Sequence, residues 1–331
     1  MSSLSCLPRS GRGCHRRFSA RRVAEHPAST SGPVSRFAHC AAVVAVALVV
    51  ASCGSRSSVS PRATSATHPV QQGPVKVLYA GSLIALMGDH VGPGFTRTTG
   101  YQFVGIAGGS TALANEVKGR LRRADVFISA SSSADLTLEG AADGAWLSWY
   151  ASFATAPLVL GLNPHGRFAR QMRTTPWYDV ITEPGFRLGW TDPNVDPKGA
   201  LSVKAITEEA GLVHNSALLG LLNDEGDIFP EETLVGRLQA GQLDGGFFYS
   251  NEAKAAGIPS VPLGILRLEA TYTITVLNGA PDRDGALKFV EFLLGPIGRQ
   301  LLITSGLSLM VPPEAVGSTP PASLGGVFRR P

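Results

Sequence analysis

Short apolar strands alternate with amphipathic helices from Val75 onward, and this order limits the folds open to the chain. The strands are predicted at residues 75–80, 101–107 and 124–130. One helix is predicted to begin at Leu83, and a second carries Leu113, Val117 and Leu121 at i, i+4 and i+8. The alternation predicts an α/β fold with a mostly parallel sheet that helices cover on both faces.

Two further blocks follow, and together they predict two α/β lobes. The second block has strands at residues 158–162, 186–191 and 245–249 and helices at 200–210 and 231–240. The last block has a strand at 272–277 and a long helix at 283–304, broken near Gly295-Pro296. We therefore predict a first lobe of residues 75–155 and 264–313, a second lobe of residues 156–263, and a loose tail at 314–331, which is rich in Pro, Gly and Ser.

The N-terminal 53 residues have the features of an export signal. Residues 1–36 hold seven arginines and one acid, Glu25, and residues 41–51 form an uncharged apolar stretch. This stretch is too short for a helix to span a bilayer core about 30 Å thick, whereas a basic segment before a short apolar one is typical of a secretory signal. Because the basic segment is long, a translation start further downstream, near Val34, stays open.

The signal ends in Val50-Ala51-Ser52-Cys53-Gly54, which resembles the bacterial lipobox. In a lipobox the cysteine is lipidated and becomes the first mature residue. We therefore predict that Cys53 anchors an exported protein to the outer face of the cell membrane. The alternative is an ordinary cleaved signal with an incidental cysteine. Residues 54–74, rich in Ser, Pro, Thr and Gln, are predicted to form a flexible tether.

Cysteine usage and charge exclude two classes of site. No cysteine follows Cys53, so the folded part has no disulfide and no cysteine metal site, and its stability must come from the core. The whole chain has a formal net charge of +4, but residues 1–36 contribute +6 of it, and the remainder is about −2. A nucleic-acid partner therefore has no support in the charge of the folded part.

Two predicted strand ends share one design. Ala80-Gly81-Ser82 and Gly108-Gly109-Ser110 each close a strand and open a helix. Glycine lets a ligand approach the backbone, serine offers a hydroxyl donor, and free N–H groups at a helix N-terminus favour an anion. A third strand end, at Ala130, offers backbone N–H groups without a large side chain. The alternative for each serine is simple helix capping.

Six segments together resemble the periplasmic molybdate/tungstate-binding proteins. They are 78–83 (LYAGSL), the Gly-Gly-Ser at 108–110, 123–130 (RADVFISA), 192–199 (DPNVDPKG), 243–253 (LDGGFFYSNEA) and 286–294 (ALKFVEFLL). The resemblance covers residues 75–312. It implies a type II periplasmic binding fold, in which crossover strands serve as a hinge and two lobes close on one ligand. It also implies a monomeric binding protein without a cofactor that delivers molybdate or tungstate to the permease and ATPase of an ABC importer.

The resemblance also implies a ligand site. Ser82 and Ser110 contact the anion from the first lobe, with backbone N–H groups near Gly109 and Ala130. From the second lobe, Asp196 and Tyr249 approach it. In one subgroup of the family an aspartate at the position of Asp196, and a glutamate just before the tyrosine, bind the metal centre directly. This chain has Phe248 at that glutamate position. In the other subgroup a tyrosine hydroxyl and backbone N–H groups bind the tetrahedral anion.

The last two site residues also have structural interpretations. A carboxylate repels an oxyanion unless it is protonated or bound to the metal centre, so Asp196 is either a direct ligand to Mo or W, turned aside, or a sign of another ligand. It also fits an Asp-Pro turn and helix N-cap. Tyr249 fits a core aromatic of the second lobe.

Several other functions compete with this one. The same fold binds other solutes, such as another oxyanion, a ferric ion or a small organic acid. No second tyrosine adjoins Tyr249, which counts against iron. An exported hydrolase is a remote alternative, because no Gly-x-Ser-x-Gly or His-Glu-x-x-His motif is present. A structural or adhesion lipoprotein would not need two Gly-Ser strand ends. We therefore expect no catalytic residues and no bound metal cofactor.

Overall fold

The computed structural model describes residues 72–329, which belong to one compact unit of residues 65–331. The strands are β1 (Pro74–Ala80), β2 (Gln102–Gly108), β3 (Val126–Ser129), β4 (Trp149–Leu162), β5 (Leu188–Gly189), β6 (Gly245–Tyr249), β7 (Ser260–Pro262), β8 (Glu269–Val276) and β9 (Ser308–Gly317). The helices are α1 (Gly92–Thr99), α2 (Ser110–Lys118), α3 (Ser132–Leu136), α4 (Trp177–Val180), α5 (Pro197–Leu212), α6 (Ser216–Leu221), α7 (Glu231–Gln239), α8 (Ser250–Ala255), α9 (Arg283–Leu294), α10 (Pro296–Ser305) and α11 (Gly325–Phe328). The predicted signal peptide, Cys53 and most of the tether lie outside the described residues.

The first lobe is built on a parallel core, as the strand–helix alternation predicts. β1 pairs in parallel with β2 on one side and with β3 on the other. Four of the last five residues of β1 point into buried surroundings on both faces of the sheet, which is typical of a strand covered by helices. This arrangement brings the carboxyl ends of β1, β2 and β3 to one edge, because parallel strands end on the same side.

One long strand joins the two lobes. The first part of β4 pairs with β8 and β9, and residues 158–162 of the same strand pair with β6 and β7. β5 pairs in parallel with β6 and completes the second lobe. β8 returns the chain to the first lobe, where it pairs with β3 and β4. Two strands thus cross between the lobes in opposite directions.

The predicted two-lobed α/β fold is confirmed, with one difference in its sheets. Among residues 72–329, five of the eight strand pairings are antiparallel. All five involve β4 or β8, the strands that carry the chain into the second lobe and back. Strands that run in opposite directions through the hinge must pair antiparallel, so the parallel pattern holds only within each lobe.

The helix after β2 is shorter than its periodicity predicted. Leu113 and Val117 are buried in the core, but α2 ends at Lys118, and Leu121 is 84% exposed. Arg120 has a φ of 58°, in the left-handed region, and this reverses the chain before Leu121. The third position of the i, i+4, i+8 series therefore does not belong to the apolar face.

The prediction of a loose tail from residue 314 is wrong for the part that the structure describes. β9 continues to Gly317 and pairs residues 314–317 with residues 149–152 of β4. Beyond it, the side chains of Leu324 and Val327 are buried, and the Phe328 ring packs edge-on against Trp149 with 6.0 Å between centroids. Apolar side chains spaced along a Pro- and Gly-rich segment dock it onto the first lobe. None of the helices in residues 72–329 is long and apolar enough to cross a membrane.

Candidate functional site

The two Gly-Ser turns of the first lobe lie at the edge where β1 and β2 end. Ser82 is buried in the turn after β1, and its Oγ lies 2.8 Å from the hydroxyl of Tyr272 on β8. Gly109 is the N-cap residue of α2, and Ser110 begins that helix. The N-cap of α2 is a glycine and that of the helical turn at residues 81–83 is Ala80, so neither serine occupies the N-cap position that simple helix capping would require.

Ser110 and Ala130 are in direct contact. The Oγ of Ser110 accepts a hydrogen bond of 3.0 Å from the Ala130 N–H. Ala130 therefore gives its N–H to the protein in this arrangement, and not to a ligand, which differs from the predicted role. A serine hydroxyl that accepts one bond keeps its own proton free to donate. The contact thus orients Ser110 as a donor.

The second lobe meets the first at Gly109. A Cβ atom on Gly109 would lie 2.6 Å from the carbonyl oxygen of Val195, and the Ala112 N–H donates to that oxygen at 2.9 Å. Asp196 follows directly, and its Cβ lies 3.3 Å from the same position on Gly109. The segment around Asp196 is thus packed onto the start of α2, as expected of residues that share one site.

Asp196 caps α5 and keeps one oxygen free. Its Oδ1 accepts a hydrogen bond of 2.9 Å from the Lys198 N–H, so the N-cap interpretation is correct for that atom. Its Oδ2 is buried and has no hydrogen-bond donor among residues 72–329. Burial, with the nearby charge of Glu231, raises the pKa of Asp196 well above its usual value. A hydrogen bond with the Glu231 carboxyl also raises this pKa, so a proton on this pair of neighbouring acids is favoured.

Tyr249 is fully buried at the end of β6. Its ring packs edge-on against Tyr272 with 6.2 Å between centroids, and its hydroxyl has no hydrogen-bond partner in the described part of the chain. Burial, together with the charge of Asp196, raises the pKa of Tyr249 well above its usual value. The hydroxyl therefore stays protonated and can donate to an acceptor.

A buried ion cluster lies beside these residues, and the sequence analysis did not identify it. The Lys198 Nζ lies 2.7 Å from Glu231 Oε2 and 2.9 and 3.0 Å from the two carboxylate oxygens of Glu252. Burial alone would lower the pKa of Lys198, but the charges of Glu231, Glu252 and Asp196 raise it overall. The sequence did hold one indication of the cluster, which is the position of its residues. Each of them lies in the first turn of a helix that begins at the edge of the second-lobe sheet.

Phe248 lies on the opposite face of β6 from Tyr249. It packs in a core of the second lobe with Leu234 and Leu238 of α7, and the Lys198 Nζ lies 5.4 Å from its ring centroid. Adjacent residues of a strand point to opposite faces. Phe248 therefore forms part of the wall behind the ion cluster and does not face Tyr249.

A second tyrosine does lie near Tyr249, although none adjoins it in the sequence. Tyr272, on β8, is fully buried, and its hydroxyl contacts Ser82 at 2.8 Å and Asn251 at 3.3 Å. Burial raises the pKa of both tyrosines. Residues 72–329 also hold no group of three or more His, Cys, Asp or Glu side chains arranged for a metal ion.

The family of bacterial extracellular solute-binding proteins matches residues 75–308, most of the chain. The chain belongs to this family. An uncharacterised solute-binding protein of Petrotoga mobilis is 28% identical over 74% of this chain and 86% of its own length. A molybdate/tungstate-binding protein of Thermococcus kodakarensis is 25% identical over 65% of this chain and 74% of its own length. The periplasmic molybdate-binding protein of Azotobacter vinelandii has the same fold, with a TM-score of 0.58 at 20% identity over 71% of this chain and 99% of that one.

The family and the fold confirm three predictions. This solute-binding protein has the periplasmic binding fold, it acts outside the cytoplasm, and it belongs to the binding proteins of ABC transporters and not to the enzymes. The structure brings Ser82, Gly109, Ser110, Ala130, Asp196 and Tyr249 to the boundary between the lobes. Their roles in binding stay predictions.

Proposed function

We propose that this solute-binding protein captures a tetrahedral oxyanion of the molybdate or tungstate type by closing its two lobes, and delivers it to an ABC permease driven by a cytoplasmic ATPase. The observation that carries the proposal is that each lobe buries a hydroxyl near Asp196, whose Cβ packs at Gly109 beside Ser110 and whose charge acts on Tyr249. Ser110 keeps a free hydroxyl proton, and the buried Tyr249 hydroxyl lacks a partner in the described chain. Buried polar groups are nearly always hydrogen-bonded, so these two are suited to a ligand.

Protonation lets the acidic side chain take part in binding an anion. A tetrahedral oxyanion offers only acceptors, and an ionised Asp196 would repel it. Burial first, and the charge of Glu231 second, raise the pKa of Asp196, which favours a proton on this carboxyl. The protonated acid then donates to the anion from the second lobe, opposite Ser110. A direct bond from Asp196 to an expanded Mo or W centre is the alternative for the same atom.

Support for the oxyanion also comes from the relatives, which include molybdate/tungstate-binding proteins. Both strand-end turns place glycine where the second lobe approaches, so a ligand there would be enclosed by backbone and hydroxyl donors. A dry enclosure strengthens hydrogen bonds to charge. Other oxyanions, small organic acids and ferric ion are the competing ligands for the same boundary.

The exported state and the lobe boundaries belong to the same proposal. A signal ending at Cys53 would leave a lipid-anchored monomer on a tether of residues 54–74. The first lobe would comprise residues 75–155 and 264–313 together with the docked segment that follows, and the second residues 156–263. Cys53→Ala should abolish incorporation of labelled palmitate and release the protein into the medium. Continued membrane retention of that variant would argue against the lipid anchor.

The decisive experiment is thermal unfolding of residues 54–331 against a panel of solutes, followed by calorimetric titration of those that stabilise. A ligand that binds only the folded state stabilises it by RT ln(1 + [L]/Kd), so micromolar binding is visible at millimolar ligand. We expect stabilisation by molybdate and tungstate, but not by sulfate. Stabilisation by citrate or ferric ion alone would overturn the oxyanion assignment.

A further inference from the structure

Glu231 of the second lobe is packed against Gly81 of the first. A Cβ atom on residue 81 would overlap Cγ of Glu231 and lie 3.1 Å from its Cδ and its Oε1. Glu231 is the first residue of α7, and Gly81 directly follows β1. The contact therefore joins the first-lobe turn to a helix N-terminus of the second lobe. It has room only because residue 81 is glycine.

The side chain of Glu231 is held in this position. Its Oε2 lies 2.7 Å from the Nζ of Lys198, which is fully buried and also bonded to both oxygens of Glu252. A rotation of Glu231 away from Gly81 would break an ion pair inside the protein, where the loss of one partner is costly. The contact with Gly81 is thus made by an anchored side chain and not by a free one.

The neighbouring contacts between the lobes use backbone atoms. The Ala112 N–H donates to the carbonyl oxygen of Val195 at 2.9 Å, and the side-chain amide of Asn251 donates to the carbonyl oxygen of Ser82 at 3.1 Å. A methyl group on Gly109 would also clash, with the carbonyl oxygen of Val195 at 2.6 Å, whereas a methyl group on Gly81 would clash with the side chain of Glu231.

We propose that Glu231 is a closure residue: anchored by Lys198, it packs on Gly81 and stabilises the closed arrangement of the two lobes. The residue acts by positioning the lobes and not by contacting the ligand. The inference rests on the proposed function only for the choice of oxyanion, because closure itself can be measured without any ligand.

Gly81→Ala is the perturbation that isolates this contact. The φ of Gly81 lies outside the left-handed region, so alanine fits the backbone and its effect is confined to the overlap with Glu231. Gly88→Ala is the matched control in the same lobe, because a Cβ there meets nothing within 4 Å. Glu231→Ala removes the overlapping atoms, so Gly81→Ala should have no further effect in that background.

Closure is measured by fluorescence energy transfer in residues 54–331 with paired labels. No cysteine follows Cys53, so Leu121→Cys in the first lobe and Leu212→Cys in the second, both exposed, are unique labelling sites. We expect Gly81→Ala to shift the ligand-free distance distribution toward the open form, Gly88→Ala to leave it unchanged, and Gly81→Ala to add nothing to Glu231→Ala. A Gly81→Ala distribution identical to the wild type overturns the proposal, as does a shift of equal size in the Glu231→Ala background.

Ligand kinetics give the second measurement. With molybdate as the probe, Gly81→Ala should weaken binding about tenfold or more, mainly through faster dissociation, because the closed complex is what retains the ligand. An unchanged dissociation rate would contradict a closure role. If molybdate does not bind the wild type but the distance shift occurs, the closure role stands and the oxyanion assignment fails. If molybdate binds the wild type but Gly81→Ala causes no distance shift, the oxyanion assignment stands and the closure role fails.

Discussion

Replacing Lys198 by methionine should strongly destabilise the folded protein. Lys198 is fully buried, and its Nζ pairs with Glu231 at 2.7 Å and with Glu252 at 2.9 Å. Methionine fills much of the same volume but leaves two buried carboxylates facing each other. Removing one partner of a buried ion pair costs about 3–5 kcal/mol, and we expect a loss of this order at pH 7.5.

The loss should shrink at low pH, and this distinguishes a charge effect from a packing effect. Burial, partly offset by the charge of Lys198, raises the pKa of Glu252 to about 7. Without Lys198 that pKa rises further. When the pKa of a carboxyl is higher in the folded than in the unfolded state, the carboxyl does not lower the free energy of unfolding below its unfolded pKa of about 4.3. It lowers the free energy of unfolding increasingly as the pH rises through the folded pKa. Lys198→Met should therefore be nearly tolerated at pH 5 and most damaging above pH 7.

Urea unfolding monitored by tryptophan fluorescence at pH 5 and pH 7.5 measures both effects. Lys204→Met is the matched control on the same helix, because Lys204 is half-exposed and lies 3.7 Å from Glu208 in an i, i+4 pair. Such a surface pair contributes about 0.3–0.5 kcal/mol. The reasoning is wrong if the two variants lose similar stability at pH 7.5, or if the loss in Lys198→Met is the same at both pH values.

Three further outcomes are expected. Tyr249→Phe should weaken oxyanion binding about tenfold to a hundredfold in calorimetric titration, since a hydrogen bond to a charged group contributes about 1.5–3 kcal/mol, while Tyr178→Phe leaves affinity unchanged. The ligand-free melting temperature of Tyr249→Phe should not fall, because the hydroxyl has no partner in the described residues; a large fall would show that it does. Burial raises the pKa of Asp135 to about 7, so wild-type stability should decline as pH rises from about 5 to 8. In urea titrations, the stability of Asp135→Asn should depend less on pH. An unaltered pH dependence in that variant would exclude Asp135 as the cause. If the tail is docked, Leu324→Ala should lower the free energy of unfolding by about 2–5 kcal/mol in denaturant titration, and the exposed Leu121→Ala should hardly change it. Equally small losses in the two variants would support a loose tail.

Local sequence patterns were sufficient to predict those strands and helices that depend on residues close together in the chain. The strand β6 was predicted with its observed bounds, and β1, β2, α5 and α7 to within a few residues, because apolar periodicity is a local property. The failures were also local in cause. Leu121 kept the helical spacing but followed a left-handed residue, and the tail was Pro- and Gly-rich yet carried the apolar Leu324 and Val327.

The site was partly predictable for the same reason. The Gly-Ser strand ends could be recognised because a strand, a glycine and a helix start are consecutive in the sequence. The Asp-Pro context predicted Asp196 as a helix cap, which its Oδ1 confirms, while its Oδ2 has no hydrogen-bond donor among the described residues. What the sequence determined by itself was therefore the fold class, the edge at which the candidate site lies and the donor types found there.

The tertiary structure alone decided which distant residues share a buried environment. The buried ion cluster combines residues from three helices, Lys198, Glu231 and Glu252. From the sequence alone, each of them would be interpreted as an ordinary surface charge. Tyr272 reaches Tyr249 from a strand that returns from the second lobe. Charge states depend on burial and on neighbours in space, and no spacing along the chain encodes either one. The raised pKa of Asp196 and the contact of Glu231 with Gly81 therefore depend on the arrangement of the two lobes in space.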